Sequence, residues 1–120
     1  MEKKILITRD SVDGADDMEA PNVAQVMIEG PYTLIDILKS IVESSYLPEI
    51  HGGRATWSVA YIEPLAVIAQ QWKEPKLFPW SEYPLDDELL KIERLHFNYY
   101  AQEDPEVVFS VLRRFRLPKL

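Results

Sequence analysis

The segment Thr33 to Ser44 reads as an amphipathic helix, and it lies between two pairs of segments that read as strands. Thr33 offers an N-cap hydroxyl, and Asp36, three residues on, completes a capping-box-like pattern. Leu34, Leu38, Ile41 and Val42 share one face with Ile37 beside it, while Asp36, Lys39, Ser40 and Glu43 fall on the other. A helix with one apolar stripe must bury it against a second layer, and the flanking segments carry the two-residue period of a sheet. The chain is thereby constrained to an α+β arrangement.

Before the helix, Lys4 to Arg9 and Val23 to Glu29 are short apolar runs with β-branched residues. Gly30-Pro31 ends the second, because proline has no N–H for a ladder. After the helix, Ala55 to Ile62 alternates: Trp57, Val59 and Tyr61 point one way, Thr56, Ser58 and Ala60 the other. Glu63-Pro64 marks a tight reversal into Leu65 to Gln71, which makes the best hairpin in the chain. Trp72 to Pro84 interleaves aromatic residues with prolines and reads as a long ordered loop without regular structure. Leu85 to Glu93 reads as one or two helical turns, and Arg94 to Tyr100 as a fifth strand. Asp104-Pro105-Glu106 is an N-cap, N1, N2 series for a last helix with Val107, Val108, Val111, Leu112 and Phe115 as its apolar stripe.

This order of elements over roughly residues 4–100 resembles the β-grasp superfold and its ubiquitin-like members. The resemblance implies that the first and last strands pair in parallel at the sheet centre with the helix across one face. The chain departs from that pattern in its long first connection and in Leu117-Pro118-Lys119-Leu120, which lacks a diglycine tail. The expected fold is a single α+β domain with a mixed sheet of about five strands, one crossover helix and a C-terminal helix. No function follows from such a fold alone.

Composition narrows the function. At 120 residues the chain is expected to form one domain able to bury a core without metal or disulfide. The absence of cysteine excludes thiol nucleophiles and thiolate metal sites. A net charge of −7 argues against nucleic-acid binding, which needs a basic face. The N-terminal apolar run is too short for a signal peptide, and no segment approaches the ~20 apolar residues of a membrane span. A cytoplasmic protein that neither enters a membrane nor needs a cofactor is expected.

Five carboxylates, Asp10, Asp13, Asp16, Asp17 and Glu19, crowd one connection between strands. Like charges this close repel unless a cation, a basic partner or water separates them. Their spacing is not that of an EF-hand loop, and a metal site is not expected. A surface for a basic protein partner, or a solvated loop, fits better. Connections longer than ~12–15 residues without structure are usually functional or disordered. His51 and His96 lack the companions of a catalytic histidine, namely a nucleophile elbow or a His-Glu-x-x-His pair. His51-Gly52-Gly53-Arg54 leads into a strand rather than a helix and reads as a hinge, not a phosphate loop. Trp72, Phe78, Trp80 and Tyr83 form either a lid over the sheet edge or a recognition surface. Arg113, Arg114, Arg116 and Lys119 oppose the acidic loop in sign, an asymmetry that would steer a partner or join two copies head to tail, while helix-dipole compensation and a solvated tail are the simpler account.

The expectation is an acidic interaction module of antitoxin, immunity or adaptor character. It docks a basic partner through Asp10, Asp13, Asp16, Asp17 and Glu19, with Trp72, Phe78, Trp80 and Tyr83 as further contacts. The rival is a metal-assisted hydrolase or nucleotide-handling enzyme built on the aspartates, with His51 or His96 as base.

Overall fold

The computed structural model describes residues 2–10, 23–29, 33–48, 52–81 and 91–114. Strand β1 spans Glu2–Arg9 and β2 spans Val23–Glu29; helix α1 covers Leu34–Glu43. Strands β3 (Thr56–Tyr61) and β4 (Glu63–Ala69) form a hairpin. A two-residue strand β5 (Lys76–Leu77) and a 3₁₀ turn at Pro79–Ser81 follow, then β6 (Arg94–Tyr99) and helix α2 (Pro105–Arg113). The strands make one mixed sheet in the order β2-β1-β6-β3-β4-β5. Among the described strands only β1 and β6 pair in parallel, from Leu6 opposite Arg94 to Arg9 opposite Phe97. Six strands stand where about five are expected, because Lys76–Leu77 add a short strand to β4 inside the segment expected to be irregular.

Helix α1 begins as its sequence requires. The Thr33 hydroxyl accepts from the Asp36 N–H, and the Asp36 carboxylate accepts from the Thr33 N–H. Such a cap contributes about 1 kcal/mol, whereas each buried leucine or isoleucine contributes roughly 1.5–3 kcal/mol. The cap therefore sets the boundary, and burial of Leu34, Ile37, Leu38 and Ile41 supplies the stability. These side chains meet Ile5 and Ile7 of β1, Trp57 and Val59 of β3, Ile68 of β4, and Leu95 and Phe97 of β6 in the main core. Val42, expected on the same stripe, is 40% exposed near the helix end.

Among the described residues the opposite face of the sheet is covered at the β4–β5 end. Val67 of β4, Phe78 and Val108 of α2 form a second, smaller core, flanked by Trp72, Trp80, Tyr100, Phe109 and Leu112. Phe78 is fully buried and stacks between Trp80 and Phe109, with ring centres 4.9 and 4.5 Å away. That stack turns α2 relative to the expected stripe. Pro105 and Val108 are buried and Phe109 and Leu112 half-buried, whereas Val107 and Val111 are exposed. Both sheet faces at β3 and β4 are thus covered, which accounts for burial of Thr56, Ser58 and Val67 beside Trp57 and Val59.

At the tip of the β3–β4 hairpin a register shift between Val59 and Ala60 leaves Ile62 alone between the paired Tyr61 and Glu63. Ile62 has φ 67° and is 89% exposed. A β-branched residue in the left-handed region is strained by about 1–2 kcal/mol, and so exposed a side chain regains little by packing. Ile62→Gly is expected to raise stability by about 0.5–1 kcal/mol. The measurement is a higher denaturant midpoint at unchanged m-value. An unchanged or lower midpoint would mean that the Ile62 side chain makes a contact that offsets the strain.

Candidate functional site

The parallel pairing brings Thr8 of β1 beside His96 of β6, on the sheet face opposite α1. Thr8 Oγ1 lies 2.8 Å from His96 Nδ1, and His96 Nε2 lies 3.0 Å from Asp10 Oδ1. The second Asp10 oxygen accepts the Tyr99 N–H at 2.9 Å, and the Asp10 N–H donates to the Phe97 carbonyl at 2.9 Å. Asp10 therefore clamps the end of β1 onto β6 just beyond the last ladder pair. In the neutral imidazole that satisfies every contact, Nε2–H donates to Asp10 and Nδ1 accepts from Thr8. The polar row continues across the sheet: Asn98 Nδ2 donates to Ser58 Oγ at 3.4 Å, and Ser58 Oγ lies 3.0 Å from Tyr100 OH.

A carboxylate, an imidazole and a hydroxyl in series have the connectivity of a hydrolytic triad. Their setting differs from one. Thr8 lies in an extended strand hydrogen-bonded on both sides, where a nucleophile is normally raised on a sharp turn with free N–H groups at hand. The arrangement fixes where the acidic connection leaves the sheet.

Asp10 is thus an anchor whose two oxygens are engaged, and it is set apart from the other four predicted carboxylates. Asp13, Asp16, Asp17 and Glu19 lie outside the described residues, as do Tyr83 and His51. Phe78 is sealed in the second core and has no surface to offer a partner. Trp72 and Trp80 are half-buried at its rim, with Trp80 Nε1 donating to the Pro64 carbonyl at 2.7 Å. Gly52 and Gly53 take φ values of 100° and 71°, the turn conformation expected of a hinge. Arg113 and Arg114 are exposed, and Arg116 and Lys119 lie outside the described residues.

Sequence reasoning missed a group of apolar side chains in solvent. Leu6 (38% exposed), Val23 (54%) and Met27 (57%) stand on the face that carries Thr8 and His96. The strand register explains the grouping, since Lys4 pairs with Met27, Leu6 with Gln25 and Thr8 with Val23. Their signal was present in the alternation of β2, where Ala24, Val26 and Ile28 take the core side and leave Val23 and Met27 outward.

Two further features flank the main core. Arg9 is buried with its guanidinium 5.7 Å from the Tyr46 ring centre; Nη1 donates to the Asp10 carbonyl, and Nε has no hydrogen-bond partner among the described residues. A groove of about 420 Å³ lies between Val42 of α1 with Leu47 and Pro48 beyond it and Trp57, Ile68 and Trp72 of the sheet side. Its size suits a small ligand, but no ionisable side chain lines it. Among the described residues no helix is long and apolar enough to cross a membrane.

Comparisons with protein-family models, with curated proteins and with solved structures give no match to this chain.

Two predictions follow from the clamp and from the buried arginine–tyrosine contact. Asp10→Ala removes the acceptor of His96 and Tyr99 and is expected to cost about 1–2 kcal/mol, with Asp10→Asn costing less because one oxygen remains. Denaturant midpoints of the two variants check this, and equal midpoints for Ala and wild type would refute the anchoring role. Burial pushes the Tyr46 phenol above its usual 10, and the Arg9 guanidinium opposes that shift. A group held neutral in this way gives stability that is complete below pH 10 and is lost as pH rises through the higher folded value. Alkaline titration of thermal stability should therefore show a shallower decline above pH 10 in Tyr46→Phe than in wild type.

Proposed function

We propose that the chain is a non-catalytic, β-grasp-like interaction module that docks a basic protein through the open end of its sheet and the acidic connection beside it. The observation that carries this reading is the exposure of Leu6, Val23 and Met27 together on one sheet face. Exposed apolar side chains grouped among polar ones form the kind of surface at which proteins meet partners. The register places Val23 opposite Thr8, so the connection bearing Asp13, Asp16, Asp17 and Glu19 departs and returns at one end of that group. An apolar group at the root of an acidic connection suits a partner surface with apolar anchors among lysines and arginines, where charge steers encounter and apolar contact holds the complex. The strand order and the parallel β1–β6 pair support the β-grasp-like part of the reading. An antitoxin, immunity or adaptor role in the cytoplasm fits this character.

Affinity capture with the wild-type chain and with two variants tests the proposal. One variant carries Asp13→Asn, Asp16→Asn and Asp17→Asn; the other carries Met27→Ser. A basic protein that binds the wild type directly after purification, at least tenfold more weakly to each variant and more weakly at raised salt, is the expected result. Binding indifferent to both variants would refute the proposed surface.

A further inference from the structure

We propose that β2 is also a self-association strand, through which two copies of the chain pair edge to edge in antiparallel fashion. The inference rests on the strand's edge and is independent of what binds the sheet face. Among the described residues β2 ends the sheet, so alternate backbone N–H and C=O groups along it face outward. Soluble proteins blunt such edges with short strands, prolines, lysines or bulges. The other edge of this sheet follows the rule: β5 has two residues and lies between Pro75 and Pro79. β2 does not. It runs for seven residues in unbroken register with β1, contains no proline or lysine, and has one charged residue, Glu29, at its end.

The strand is complementary to itself. Antiparallel pairing centred on Val26 sets Val26 against Val26 of the second copy, Ala24 against Ile28, Gln25 against Met27, and Val23 against Glu29. Ala24, Val26 and Ile28 already pack on the main core, so this pairing would join the two cores along one side. No like charges fall opposite one another, and the exposed Val23 and Met27 gain cross-strand neighbours. The contact is isologous and closes as a two-fold dimer, with a continuous sheet across both copies. A single strand pair buries less than the ~1,000 Å² of a stable interface, so the dimer is weak and concentration-dependent. Each copy carries a net charge of −7, and added salt strengthens association by screening that repulsion.

Sedimentation of the full chain from micromolar to millimolar concentration, with charge reversals at Val23, tests the register. Val23→Glu places carboxylates opposite Glu29 at both ends of the strand pair, whereas Val23→Lys places an ammonium there. The dimer dissociation constant should be on the order of tenfold higher for Val23→Glu than for Val23→Lys. The same two substitutions at Val107, exposed on α2, change net charge equally and should leave the constants alike within about twofold. Circular dichroism confirms that each variant is folded before its association is compared. A monomer throughout the range, equal constants for the two Val23 variants, or the same ratio reproduced at Val107 would each overturn the proposal.

Discussion

Leu6 to Arg9 run parallel to Arg94 to Phe97, and this short ladder joins two hairpins that otherwise have no common edge. β1 brings β2 with it, and β6 brings β3 and β4. Ile5 and Ile7 then lie beside Leu95 and Phe97 to make one continuous floor for α1. Parallel strands need a long crossover, and here nearly the whole chain serves as that crossover. The same ladder places Thr8 next to His96 and lets Asp10 clamp the strand end, so the departure point of the acidic connection depends on it as well.

The two faces of the sheet are treated differently, and the difference is chemical. The α1 face is mainly apolar, with Arg9 buried at its margin, and the four buried side chains of α1 outweigh what its cap contributes. On the other face, aromatic residues from the proline-rich segment and from α2 close only the β4–β5 end. Past Tyr100 the surface turns polar through Ser58, Asn98, His96 and Thr8, and then apolar again at Leu6, Val23 and Met27. That partly exposed apolar margin is the surface on which the proposed docking rests.

How far the chain could be read without its structure depended on distance along the sequence. Helix α1 was legible because its cap and stripe involve residues three or four apart. β3 and β6 are legible from alternation, and β1, β2 and β4 from short apolar runs bounded by turn residues, with ends within two residues of those found. The stripe of α2 was misjudged because Phe109 faces inward to stack on Phe78, a contact no local pattern reveals. β5 was hidden by its brevity and its flanking prolines. Asp10 looked like one more carboxylate of an acidic run, although its partners His96 and Tyr99 lie at the far end of the chain. The exposed edge and face of β2 needed the sheet order before Val23 and Met27 had any meaning.

Residue-resolved amide hydrogen exchange under native conditions tests most directly whether the β1–β6 ladder holds the domain together. Amides of β1 and β6 within the ladder should exchange only through global unfolding, more slowly than those of α2 and β5, which open in smaller units. Ladder amides that exchange through a partial opening, while the β3–β4 hairpin stays protected, would contradict the account.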